Sequence, residues 1–208
     1  MSRAVIGADV ELRRPDPDAP YDLVQASFKS EGGLDFTVFV QPQNNPPETW
    51  DKLGYPRQFL EAGITRDAFE KLARAIVKGK TVLVWNAEHE KSYLPFLTEL
   101  DADGRPICDV QDLMWWASPL VTKEWSWKYG TWKFAKMTAA AEEFRLTYDA
   151  PGPHDAGADA SMLLKIHRKL TQLEPSWKVR EEFSGLRLAW DDSGAGVQGW
   201  EEDDQLPF

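Results

Sequence analysis

Four carboxylates and one histidine are the residues of this chain whose types and surroundings could do chemistry. They fall in three short segments far apart in sequence: Ile6-Gly7-Ala8-Asp9-Val10-Glu11, Asn86-Ala87-Glu88-His89-Glu90 and His154-Asp155-Ala156-Gly157-Ala158-Asp159. Asp9, Glu11, Glu90 and Asp159 with His154 are a set suited to hydrolysing a phosphodiester with the help of divalent cations. Carboxylate oxygens hold hard cations, and an imidazole can take a proton from water near neutral pH. Nothing else in the chain singles out a chemistry.

Each segment depends on the element that carries it. Residues 4–12 read as a strand, so Asp9 and Glu11 point to one face with Cα atoms about 6.5–7 Å apart. Two carboxylates on an otherwise apolar strand repel and lose hydration, which is costly unless cations neutralise them. Alone, such a pair is more often a solvated strand face. Residues 81–85 (Thr-Val-Leu-Val-Trp) form the apolar run of a strand covered on both faces. Asn86 to Glu90 therefore falls at a strand end and the entry to a helix, where sites in such sheets collect. The plainer reading of Glu90 is a first-turn acid favoured by the helix dipole. His154 lies in a Pro- and Gly-flanked loop before a helix over 158–173, with Met162, Leu163, Ile166, Leu170 and Leu173 on one side. A loop histidine can approach a water, and a helix-borne Asp159 is fixed enough to hold a metal. Taken singly, a surface histidine and a helix-start acid are the commoner explanation.

The remaining pattern supplies the frame. Residues 21–29 and 35–41 alternate in polarity around Glu31-Gly32-Gly33, a hairpin signal, so the chain opens as a three-stranded antiparallel meander. A polar, Pro-rich loop over 41–54 follows. Thr65 is placed to cap a helix carrying Phe69, Leu72, Ala73, Ile76 and Val77, ending at Gly79. A helix over 88–100, a strand at Ile107, a helix from about Val110 and another over 137–144 complete the domain. A meander followed by alternating helices and strands predicts an α/β fold, a mixed sheet flanked by helices. From Ser184 the composition shifts to Gly, Asp, Ser and Trp, which divides the chain into a domain over 1–183 and an acidic tail over 184–208.

Composition narrows the class. At 208 residues with 42% hydrophobic residues the chain can bury one ordinary core. Acids outnumber bases 34 to 24, a net charge of −10, part of it in the tail. A basic duplex-binding footprint is missing, which favours transient, metal-assisted engagement of a strand end over tight non-specific binding. A single cysteine, Cys108, precludes an internal disulfide and suggests a reducing compartment. Its place in Pro106-Ile107-Cys108 reads as a buried strand rather than a nucleophile. Charges arrive too early for a signal peptide, and no run approaches the ~20 apolar residues of a spanning helix. A cytoplasmic protein with no membrane partner is the expectation.

Taken together, the three segments resemble the DEDD family of 3′→5′ exonucleases, in the subclass whose third motif is His-x-Ala-x-x-Asp, here His154-x-Ala156-x-x-Asp159. The second motif, Asn-Ala-x-Phe-Asp with a following apolar pair, is matched by Asn86-Ala87-Glu88-His89-Glu90 and Tyr93-Leu94. The first, Asp-x-Glu on the first strand, is Asp9-Val10-Glu11. Gly63-Ile64-Thr65, and Cys108-Asp109-Val110-Gln111-Asp112-Leu113 at a strand end, also match, so the likeness spans roughly residues 3–173. It implies a ribonuclease-H-like fold and metal-dependent 3′→5′ hydrolysis of single-stranded nucleic acid, DNA favoured, as proofreading or repair. Two Mg²⁺ or Mn²⁺ ions would be held by Asp9, Glu11 and Asp159, with Glu90 acting through water, and His154 would be the general base. Asn86 would help bind substrate. The chain departs from the family in having Leu12-Arg13-Arg14 where Thr-Thr-Gly is usual, and Glu90 where the family has Asp. An RNA-trimming exonuclease and a non-catalytic adaptor on the same fold are the competing readings.

Two further segments carry signals. Residues 115–132 hold five of the ten tryptophans: Trp115, Trp116, Trp125, Trp127 and Trp132, interleaved with Lys123 and Lys128. Bases could stack on Trp115 and Trp116 with a phosphate near Lys128; a loop packing its own aromatics is an equal reading. The chain ends Asp203-Asp204-Gln205-Leu206-Pro207-Phe208. This resembles the C-terminal tip of bacterial single-stranded-DNA-binding proteins and implies docking on a replication or repair protein through Asp203, Asp204, Leu206, Pro207 and Phe208. A solubilising acidic tail is the alternative.

Overall fold

The computed structural model describes residues 3–173 apart from residues 129 and 153. The acidic tail, its C-terminal tip and the expected boundary at 183/184 lie outside the described residues.

Strand β1 (Val5–Arg13) is central, because its alternate residues serve two different faces. Ile6, Ala8 and Val10 are buried in one apolar cluster. Gly7, Asp9, Glu11 and Arg13 point the other way. Antiparallel β2 (Asp22–Lys29) and β3 (Asp35–Phe39) complete the meander. Parallel β4 (Thr81–Val84) and β5 (Asp109–Asp112) extend the sheet on the other side, giving the order β3-β2-β1-β4-β5.

Helix α1 (Arg57–Glu61) is short, and α2 (Arg66–Val77) begins where the Thr65 side chain accepts from the Ala68 N–H. Its buried Phe69, Ala73 and Val77 share the first cluster with Leu94, Phe96 and Leu97. Helices α4 (Leu113–Val121), α5 (Met137–Glu143) and α6 (Ala156–Gln172) cover the opposite face. There Leu83 meets Leu113, Ala140, Met162, Leu163, Ile166 and Leu170. The mixed, helix-flanked sheet is the expected fold class.

Local departures have identifiable causes. Helix α3 (Ala87–Tyr93) stops well before residue 100, because Pro95 opens a 3₁₀ turn, Pro95–Thr98, instead of continuing it. The strand expected at Ile107 starts two residues later, and the helix expected from Val110 starts at Leu113, capped by Asp112. The 41–54 loop holds a 3₁₀ turn, Pro47–Lys52, whose Trp50 is buried with Leu53, Val24 and Leu60. Leu72 and Leu173 are exposed, so each helix stripe is narrower than its apolar spacing suggests.

Helix α6 crosses β1 closely enough that a Cβ on Gly7 would lie 2.2 Å from the Ala160 carbonyl oxygen. Glycine is required by that approach, and Asp159 is the neighbour of the residue approached. Gly7→Ala is therefore expected to cost about 1–3 kcal/mol, as overpacking does. It should also cut turnover, since a shift of about 1 Å at a reacting centre can cost roughly 10²-fold. Thermal denaturation and single-turnover rates measure the two effects. Parent-like values for both would mean that α6 does not depend on this contact.

Candidate active site

Three elements bring the carboxylates together. Strand β1 supplies Asp9 and Glu11, the first turn of α3 supplies Glu90, and the first turn of α6 supplies Asp159. All four are buried, Glu90 to 4% exposure. No apolar packing explains four buried acids, and each is pushed above the ordinary carboxylate range. For Asp9 the chief cause is burial, followed by the charges of Glu90, Asp159, Glu11 and Asp155. Burial likewise raises Glu11, partly offset by Arg13. It raises Glu90, offset by His89, and Asp159, offset by the His154 backbone N–H. Asp9 thus lies near enough to Glu90, Asp159 and Glu11 for their charges to act on it.

His154 joins this cluster through both its backbone and its side chain. Its N–H donates to Asp159 Oδ2 at 3.0 Å, with φ at +66°. Such a left-handed conformation costs a non-glycine residue about 1 kcal/mol, and the surrounding contacts must impose it. One ligand atom each from Glu11, His154 and Asp159 lies within 4.8 Å of the others.

Two carboxylate oxygens, Glu90 Oε2 and Asp159 Oδ1, are buried without a hydrogen-bond partner. Buried carboxylate oxygens left bare are expensive, and cations in the cleft would satisfy them. The donor set therefore fits hard divalent cations: oxygen-rich, acidic and enclosed. The nearby Tyr148 hydroxyl, also buried, faces Asp159 at a looser approach than a formed hydrogen bond.

Supporting residues hold these groups in place. Asp112 accepts from the N–H groups of Asn86 (3.1 Å), Ala87 (2.7 Å) and Met114 (2.9 Å), fixing the turn from β4 into α3. Asn86 itself takes φ +69° and caps α3 through the His89 N–H. Its side chain is thus used by the helix start. Asp155 caps α6, and its second oxygen accepts from Gln25 Nε2 at 2.9 Å. Gln25 pairs with Glu11 across β1 and β2. Sequence reasoning missed Gln25, Tyr55, Tyr148 and Asp155. Only Asp155, directly before an apolar-striped helix, carried a readable signal, that of an N-cap.

The Trp-rich segment is divided. Strands β6 (Trp125–Ser126) and β7 (Thr131–Trp132) form a small hairpin in which Trp125 meets Trp132 edge-on at 5.6 Å. Trp116 packs against the second core cluster, with its ring 6.4 Å from that of His167. His167 is eight residues along α6 from Asp159, about 12 Å of helix. Trp115 is 45% exposed, edge-on to Phe134 at 4.9 Å, and Trp127 is 63% exposed. Lys128 is exposed near the hairpin tip. Cys108 is buried just before β5, and burial pushes its thiol up to about 11, the opposite of what a nucleophile needs. Among the described residues no helix is long and apolar enough to cross a membrane.

No protein-family model matches the sequence, and no curated protein matches it. Solved structures do match. Escherichia coli exonuclease I, in its zinc-bound complex with single-stranded DNA, has a TM-score of 0.58 at 13% identity. The match covers 84% of this chain and 42% of that one. A 3′-exonuclease that recognises the histone mRNA stem-loop has a TM-score of 0.58 at 11% identity, covering 84% and 65%. Exonuclease X, in complex with 5′-overhanging duplex DNA, has a TM-score of 0.51 at 13% identity, covering 81% and 92%. The chain thus spans less than half of exonuclease I. At these identities the likeness establishes the fold: the ribonuclease-H-like fold of DEDD 3′-exonucleases.

Proposed function

We propose that this protein is a metal-dependent 3′→5′ exonuclease acting on single-stranded nucleic acid, with DNA favoured. The observation that carries the proposal is four buried acids from three elements, with two bare oxygens, beside an imidazole. The structural neighbours, two exonucleases solved with DNA and a 3′-exonuclease that recognises an mRNA stem-loop, support the substrate class.

Asp9, Glu11 and Asp159 would hold the ions directly, and Glu90 would act on one of them through water. Two Mg²⁺ or Mn²⁺ ions, when bound, would supply charge neutralisation at the scissile phosphate and at the attacking and leaving oxygens. His154 takes the proton of the attacking water at an imidazole nitrogen while the water oxygen bonds to phosphorus. The P–O3′ bond breaks, the leaving O3′ on the shortened strand takes a proton from solvent, and the 3′-terminal nucleotide departs with its 5′-phosphate. Asp112 and Asp155 are positioning residues: they fix the helix starts that carry Glu90 and Asp159. Trp115, on its exposed face, is proposed to stack on a base, with Trp116 and Lys128 lining the strand's path. The tip Asp203, Asp204, Leu206, Pro207, Phe208 remains proposed as a docking element for a replication or repair protein.

Incubation of 5′-labelled DNA and RNA oligonucleotides with Mg²⁺, Mn²⁺ or EDTA tests the reading. The expected result is a ladder shortening one nucleotide at a time from the 3′ end, faster on DNA and absent in EDTA. An intact label in every cation would favour the adaptor reading, and preferential cleavage of RNA would favour RNA trimming.

A further inference from the structure

A cation sits at the mouth of the acidic cleft, on the strand that carries two of its acids. Arg13 follows Glu11 by two residues on β1, so both side chains emerge on the cleft face. The guanidinium Nη1 lies 2.8 Å from Glu11 Oε2 and donates to the Leu12 carbonyl at 3.0 Å. Its Cζ lies 5.6 Å from the centroid of the Tyr55 ring, a cation–π arrangement.

That aromatic platform is fixed from behind. The Tyr55 hydroxyl donates to Gln25 Oε1 at 3.3 Å, and the Ala156 N–H donates to the same oxygen at 3.0 Å. Gln25 Nε2 donates in turn to Asp155. The ring under Arg13 is therefore tied to the start of the helix bearing Asp159. The Arg13 side chain is 33% exposed and that of Glu11 only 7%, so the guanidinium bridges the enclosed acids and solvent.

Glu11 cannot serve Arg13 and a divalent cation equally through the same oxygen. A guanidinium freed from it keeps its aromatic seat, its charge and its fork of donors, which match a phosphate. In a chain of net charge −10, a cation fixed at the cleft mouth is where a polyanion would be gripped.

We propose that Arg13 alternates between Glu11 and a backbone phosphate of the substrate. It neutralises Glu11 while the cleft lacks cations, and grips the strand end once they load. The inference rests on the nuclease reading above and adds to it a substrate-gripping residue, at the point where the chain departs from the Thr-Thr-Gly of the family it resembles.

The test uses the full chain with Arg13→Gln and Arg13→Lys. Mn²⁺ binding is measured by calorimetry without nucleic acid. Affinity for a single-stranded DNA oligonucleotide with a phosphorothioate 3′ end is measured by fluorescence anisotropy in Mn²⁺ at several salt concentrations. In Arg13→Gln, Mn²⁺ binding should tighten about 2- to 5-fold, the scale of one partly exposed ion pair. Oligonucleotide affinity should fall about 10-fold or more, the scale of a charged hydrogen bond. The slope of log K against log salt should shrink by about 0.7, one single-strand phosphate contact. Arg13→Lys should retain that slope and lose part of the affinity. Opposite movement of the two affinities is the signature, because a merely structural role would weaken both. If Mn²⁺ and oligonucleotide binding weaken together, or if the salt slope is unchanged in Arg13→Gln, the role proposed for Arg13 is overturned while the nuclease reading stands. A parent chain that binds neither Mn²⁺ nor oligonucleotide would overturn both.

Discussion

Asp9→Asn is expected to cut turnover steeply while making the metal-free protein more stable. Asp9 is buried, and burial with the charges of Glu90, Asp159 and Glu11 holds its carboxyl well above the usual range. A group whose folded pKa is raised contributes stability that is complete below its unfolded value, near 4. That contribution is lost as pH rises through the folded value. Above its unfolded value a carboxyl held this way is therefore a net strain on the metal-free fold, whether it stays charged or takes up a proton, and asparagine removes it from the centre of the cluster. About 1 kcal/mol regained would raise Tm by roughly 2–4 °C in a chain of this size. The same change removes an oxygen ligand and a negative charge, so Mn²⁺-induced stabilisation should shrink and turnover should fall about 10³-fold. Melting curves in EDTA and in Mn²⁺, at pH 5 and pH 7.5, measure both effects. Metal-induced shifts that are equal in parent and variant would remove Asp9 from the ion site.

His154→Ala should cut turnover about 10²- to 10⁴-fold, the range for loss of a positioned base. Mn²⁺ affinity should stay within a few-fold of the parent, because a base is not a ligand. The geometry makes this a sharp question, since the imidazole lies within reach of Glu11 and Asp159 and could serve as a third ligand. A variant whose Mn²⁺ affinity falls together with its turnover, with the rate restored by saturating Mn²⁺, would turn His154 from base into ligand.

The sequence carried this much because the decisive residues sit where local rules are strong. Asp9 and Glu11 lie in a run of apolar alternation that forces one face. Glu90 follows a four-residue strand buried throughout, and Asp159 opens a helix with a clear apolar stripe. What was not legible depends on distant pairing. Gln25 is an ordinary polar residue of β2 until the strand register sets it opposite Glu11 and the fold brings Asp155 to it from 130 residues away. Gly7 reads as a weak strand residue until α6 crosses it. Arg13 looked like the loss of a family contact, and its cation becomes meaningful only beside Glu11 and over Tyr55. The Trp-rich run concealed a hairpin, because strands of two residues have no period to detect.

The central claim, that these acids form a divalent-metal site, is tested most directly by anomalous diffraction from crystals grown in Mn²⁺. The account predicts Mn²⁺ density between Asp9, Glu11 and Asp159, with oxygen distances near 2.0–2.2 Å, scaled from those of other hard divalent cations. Well-diffracting Mn²⁺ crystals with no anomalous peak in this cleft, or with a peak only elsewhere on the molecule, would contradict it.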